Sequence, residues 1–221
     1  MITGACGLTA AASAQVAGNI SLASDEIFRG ETISRGDPAL SLALSVDTPE
    51  GLFAGAGASI AAGKHDPRLS AAVQYAGYAI RRDRTSFEIG LIHRHYHSVF
   101  ESDVRRDFFE GYAGVTHGAL KARIYVSPDY HRGGHASYYA EVNARLLSVE
   151  RWSLDGHAGL ALTPHESLSG HTRLKDHYDW RIQASRPVGP LFVSLGIAGT
   201  TYPAYSRSGK GRGFVSLSHA F

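Results

Sequence analysis

The sequence predicts an all-β chain closed into an antiparallel transmembrane barrel of about twelve strands. Three observations predict it. Polarity alternates over segments of about ten residues, tight turns alternate with long polar links, and one face of each segment lacks charge in its central part. Successive strand side chains point to opposite faces, so this alternation describes a sheet with one apolar and one polar side.

Taken in order, the segments fall at roughly 16–28, 38–47, 51–62, 69–80, 85–97, 107–117, 118–127, 137–147, 152–162, 178–186, 190–200 and 212–221. PALSLALSV sets Leu40, Leu42, Leu44 and Val46 against Ser41, Ala43 and Ser45. ALKARIYVS sets Leu120, Ala122, Ile124 and Val126 against Lys121, Arg123, Tyr125 and Ser127. YYAEVNARL and YDWRIQAS repeat the pattern, and no helical periodicity competes with it. The links TPEG, RRDR, HG, SVER and PVGP are short and rich in turn-forming residues. RGETISRGD, SVFESDVRRD, PDYHRGGHA and TPHESLSGHTRLKDH are longer and polar. Short periplasmic turns and longer extracellular loops are the rhythm of an outer-membrane barrel, and an even strand number leaves both termini periplasmic. A charge at the bilayer midplane costs about 2–4 kcal/mol, which accounts for the uncharged face. Trp152 and Tyr178 lie near segment ends, where interfacial girdles form.

Composition bounds the rest. The net charge of +2 is small and unclustered, which gives no basic stripe for nucleic acid. No apolar run approaches the ~18 residues of a membrane helix. Residues 1–14 read as a signal peptide truncated at its charged start, with Ala12-Ser13-Ala14 as the cleavage pattern before Gln15. Residues 15–221 then form the barrel, and the lone Cys6 is lost with the leader. The chain ends in GFVSLSHAF, with Val215, Leu217 and Phe221 on one face and His219 an atypical member of it. Such a closing aromatic strand is what the barrel-assembly machinery recognises, so that machinery and outer-membrane lipid are the expected partners.

SDEIFRGETISRGDPALSLALSVDTPEGLFAGAGAS resembles the opening of the Gcw_chp proteins, also called TorF-type porins, through Phe28, Arg29, Gly30, Pro38 and the Gly51-Leu52-Phe53 restart. Tyr125, Ser127, Pro128, Asp129 and Tyr130 supply a second family-like element, and the resemblance covers nearly the whole mature chain. It implies an outer-membrane barrel with a porin-like role.

If the apolar faces look outward, the polar faces line a lumen with Glu88, Arg94, Glu110, Lys121, Arg123, Glu141, Arg145, Asp155, Asp179 and Arg181. Asp25, Asp47 and His157 join them. Antiparallel neighbours of opposite sign can pair, as Glu110 with Lys121 and Arg123 or these with Glu141 and Arg145. The expected activity is passive diffusion of small hydrophilic solutes, with a structural or surface-interaction barrel closed by ion pairs as the alternative. No G-x-S-x-G or comparable signature presents an activated serine, so no enzyme activity and no cofactor are expected. The loop at about 163–177, with His165, His171, His177, Arg173 and Lys175, reads as solvated.

HRHYH places His93, His95 and His97 where the family carries tyrosines. They continue the apolar face of Phe87, Ile89 and Leu91. On a straight strand the outer two lie about 14 Å apart. Zinc–nitrogen bonds are about 2.0–2.1 Å, so one ion cannot easily hold all three. A histidine-bearing interfacial girdle, touching lipopolysaccharide phosphates when protonated, is expected ahead of a metal site.

Overall fold

The computed structural model describes residues 14–63, 66–97, 106–128, 136–162, 176–201 and 211–221. The expected leader, except Ala14, lies outside this set, as do Asp129, His165, His171, Arg173 and Lys175. In chain order the strands are β1 (Gln15–Ala23), β2 (Ile27–Phe28), β3 (Glu31–Thr32), β4 (Ala39–Asp47), β5 (Leu52–Ala62), β6 (Pro67–Arg82) and β7 (Thr85–Tyr96). They continue as β8 (Arg106–His117), β9 (Leu120–Ser127), β10 (Ser137–Val149), β11 (Trp152–Leu162), β12 (His177–Val188), β13 (Leu191–Thr200) and β14 (Arg212–Ala220).

All but β2 and β3 form one closed antiparallel barrel in which each strand pairs with its sequence neighbour and β1 closes on β14. Closure leaves no edge strand, so the wall hydrogen-bonds its own backbone, as a hydrocarbon surround requires. The seam ends at Phe221, which exchanges backbone hydrogen bonds of 2.7 and 2.9 Å with Gly18. The Phe221 ring lies over Gly18, where a β-carbon would come within 2.3 Å of it.

The barrel is inside-out relative to a water-soluble domain. Ile89 and Leu91 are 62% and 67% exposed, and large apolar side chains on every wall strand share that exposure. Such a belt disfavours water at about 25 cal/mol per Å² and is stable against lipid. Buried apolar side chains instead form two small clusters: Ile33, Ala71, Tyr96 and Phe108, then Ile92, Tyr112, Tyr125 and Tyr139. Two bulges adjust the wall. One in β10 leaves Leu146 and Leu147 both outside, and one in β6 lets Ser70 turn inward beside Ala71.

The first segment departs from the sequence expectation. The expected strand over 16–28 stops at Ala23, and the expected external loop RGETISRGD does not run outward. Residues 24–38 fold into the barrel, where β2 and β3 make a small hairpin. The cause is local. Arg29 and Gly30 have φ of 49° and 76°, which suits a two-residue hairpin turn with both central residues left-handed. Arg35 and Gly36 repeat this at 64° and 78°, so each Arg-Gly pair reverses the chain.

Candidate functional site

The inward hairpin and the wall around it are the candidate site. Asp25 holds the hairpin's entry: it accepts hydrogen bonds from Thr32, from Ser34 at 2.9 Å and from Arg212 of β14 at 2.9 Å. Glu26 accepts from Ser59 of β5 at 2.7 Å and from Ser70 of β6 at 3.2 Å. Burial raises the Glu26 carboxyl above the ordinary glutamate range; these serines oppose the rise and Asp25 adds to it. Arg68 of β6 donates to the Ser34 carbonyl at 2.6 Å and to Asp37 at 2.9 Å. At the tip, Gly30 abuts β12 and β13, where a β-carbon would stand 2.6 Å from the Gly199 carbonyl and 2.9 Å from Asp179 Cβ. Arg29 crosses the lumen the other way. Its guanidinium pairs with Glu110 of β8 at 2.7 Å and lies 3.8 Å from the Tyr139 ring centroid on β10 and 5.2 Å from that of Tyr125 on β9. Phe28 meets Tyr96 of β7 at 4.9 Å. The hairpin therefore touches β5 to β10 and β12 to β14, and it occupies the lumen on the side of the long loops.

All ten charged residues assigned to the lumen project inward by strand parity, but several of their pairings differ from simple neighbour pairing. Glu110 does not meet Lys121 or Arg123. It sits between Arg29 and Arg94, the latter at 3.0 Å, and is 2% exposed. Lys121 and Arg123 reach over β8 to Glu88. Gly114 permits this, since a β-carbon there would stand 2.8 Å from Glu88 Oε1 and 2.9 Å from Arg123 Cγ. Gly159 does the same for Tyr139 of β10, which donates to Asp179 of β12 at 3.0 Å. His157 lies 2.8 Å from Asp179 and 2.9 Å from Asn143, so both ring nitrogens are engaged. Arg145 pairs with Asp155 at 3.0 Å, and Glu141 accepts from Tyr125 at 3.0 Å. Among the described residues Arg181 makes no hydrogen bond or ion pair.

Voids remain in the lumen around the hairpin. One of about 260 Å³ lies against the Arg29 tip, one of about 290 Å³ lies between Phe53, Tyr75, Glu88 and Tyr112, and one of about 620 Å³ opens at the short-turn end beside Lys121, Arg145, Asp155 and Gln183.

Of the family-like residues, Phe28, Arg29 and Gly30 form the hairpin tip, and Pro38 leads the chain back into the wall, its carbonyl accepting from Ala62 at 2.8 Å. Tyr125 and Ser127 face inward and are buried, with Ser127 donating to the Phe109 carbonyl at 2.7 Å; Pro128 is exposed. Sequence reasoning missed the hairpin's anchoring role, including Glu26 and the partners Tyr139 and Tyr96. The repeated Arg-Gly pairs were the available signal.

His93 and His95 face outward near the long-loop end of β7. Both engage Asp107 of β8, His95 at 3.3 Å, and His93 stacks on Phe109 at 4.3 Å. His97 lies beyond the strand, its backbone bonded to Ser70. Among the described residues no group of three histidine, cysteine or acidic side chains is placed to hold a metal ion.

The family model described as "Bacterial protein of unknown function (Gcw_chp)" matches residues 8–217. The chain belongs to that family. No curated protein matches it. Among solved structures, the Gcw_chp barrel resembles the KdgM porin with a TM-score of 0.57 at 8% identity, covering 93% of this chain and 99% of that one. It resembles the NanC porin at 0.54 and 10% identity, covering 94% and 99%. At these identities the likeness is one of fold: the twelve-stranded barrel of outer-membrane porins. With its apolar belt and polar interior, the Gcw_chp barrel is an integral outer-membrane protein.

Proposed function

We propose that this Gcw_chp barrel is a porin that passes small hydrophilic solutes passively, with the Ser24–Pro38 hairpin as its stopper. The observation that carries this is the inner wall. It is lined by charged and polar side chains and retains voids of about 620, 290 and 260 Å³, whereas a purely structural barrel of this size would gain by filling its interior. Cations and anions are interleaved along the wall, so weak ion selectivity follows. The reaction is movement alone; among the described residues no lumen serine or threonine is paired with a histidine base, and His157 is committed at both nitrogens. Residues 1–14 act as the export leader. The strand ending at Phe221 serves the assembly machinery, and the outward belt meets lipid and lipopolysaccharide.

A second reading has its own observation. Because the hairpin reaches the wall on nearly every side, the docked state supports a closed surface barrel. Planar-bilayer recording on refolded, heat-modifiable protein separates the two. Discrete conductance steps support the porin, and persistent silence, including after deletion of the hairpin tip, supports the closed barrel.

A further inference from the structure

The geometry points to a carboxylate subsite at Arg181, where the lumen recognises a singly charged, hydroxyl-bearing solute such as a sugar acid. As a statement of substrate class, this rests on the porin reading; as a statement of binding, it does not. The wall cations Arg68, Arg94, Lys121, Arg123, Arg145 and Arg212 each have a carboxylate partner within 4.0 Å. Arg181 has none among the described residues. The reason is visible along its own face. Asp179, two residues up β12, is taken by His157 and Tyr139, and Asp155 on β11 is taken by Arg145. The Arg181 guanidinium donors therefore stand open to a solute in the lumen.

Position makes it a site rather than a stray cation. Arg181 lines both the void of about 620 Å³ at the short-turn end and the void of about 260 Å³ under the Arg29 tip, so a solute moving between them passes its guanidinium. The larger volume falls within the range of small-molecule sites, about 300–1,000 Å³. The planar fork of an arginine matches a carboxylate in a two-bond pairing. Asn143, which also lines both voids, gives its oxygen to His157, and Gln183 gives its amide NH2 to Ser185. Their opposite ends, a donor and an acceptor, suit hydroxyl groups. The surrounding Glu141, Asp155 and Asp179 disfavour a second negative charge, which selects a monoanion over a dianionic phosphate.

The test is calorimetric titration of the refolded full chain in detergent with D-glucuronate, D-glucose and acetate. The expected result is saturable glucuronate binding, at least tenfold tighter than glucose or acetate. Arg181→Gln should reduce that preference at least tenfold, and Arg181→Lys, which keeps the charge without the fork, by several-fold. The heat-modifiable gel shift checks folding, and Arg181→Lys carries the test if Arg181→Gln does not fold. Acetate binding as tightly as glucuronate, or affinities unchanged in the foldable variant, would overturn the proposal. Binding by a barrel that stays silent in bilayers would fail the porin reading alone. A conducting barrel indifferent to glucuronate would fail the subsite alone.

Discussion

Arg29→Ala should open the barrel. In the docked hairpin the Arg29 side chain is 7% exposed, paired with Glu110 at 2.7 Å and set 3.8 Å from the Tyr139 ring centroid. A hydrogen bond to a charged group is worth about 1.5–3 kcal/mol, and a desolvated cation–π contact about 2 kcal/mol. The two share one guanidinium and are not additive, so a combined loss of about 3 kcal/mol is a fair working value. At about 1.4 kcal/mol per tenfold change, the ratio of docked to undocked hairpin falls about a hundredfold. Arg94 remains at 3.0 Å from Glu110, so the buried carboxylate keeps a partner and the wall should stay folded. The assay is single-channel recording, with the gel shift as the folding check. The open fraction should rise steeply in Arg29→Ala. Gly30→Val should do the same without altering any charge, because its β-carbon has 2.6 Å to the Gly199 carbonyl. If both variants fold and both keep the parent's open fraction and step size, the hairpin is not the stopper.

Three further outcomes follow from single residues. Glu26 is more readily protonated in the docked hairpin than in water, because burial raises its carboxyl while Ser59, Ser70 and Ser41 oppose and Asp25 assists. A raised carboxyl favours docking fully below the ordinary glutamate value of about 4.3 and loses that favour as pH climbs through the docked value. Open probability should therefore rise with pH from about 4 upward, and Glu26→Gln should flatten that rise. Ile89→Arg places a charge on the lipid face of β7 and should lower unfolding stability in vesicles by about 2–4 kcal/mol; an unchanged denaturation midpoint would contradict the assigned face. Asp107→Asn removes the carboxylate that His93 and His95 engage, so binding to lipopolysaccharide-containing vesicles should be tighter in the variant than in the parent at the same pH, and equal binding would contradict the contact.

The wall was legible because a lipid-facing strand has one rule, strict alternation, and this chain obeys it. Eleven of the twelve expected segments coincide with wall strands to within about two residues, and the inward charges follow from parity alone. The departures have physical causes. The turn of YAIRR and the tail of β10 run on because paired strands extend past the bilayer edge, where polarity no longer alternates. The segment at 16–28 failed because Ser24 onward keeps an alternating look while leaving the wall. Alternation says which face a side chain takes on a strand; it says nothing about whether a link bends outward or into the lumen.

What redirects that link is turn chemistry. A long loop rich in charge reads as solvated, and RGETISRGD has the composition of one. Two Arg-Gly pairs six residues apart each supply two consecutive left-handed positions, and that geometry folds the segment back on itself twice within nine residues. A link so compacted is too short to project far, and its carboxylates then meet wall donors: Asp25 with Arg212, Asp37 with Arg68. Partner choice deeper in the lumen follows a second hidden rule. Strand order places Arg123 beside Glu141, but Gly114 opens a path across β8 to Glu88, and Gly159 opens one across β11 from Tyr139 to Asp179. Each glycine lets a pair form two strands apart and removes one carboxylate from the reach of its nearer neighbour. The Tyr139–Asp179 link, with His157 beside it, is what leaves Arg181 without a carboxylate partner among the described residues, and that link traces back to a residue with no side chain.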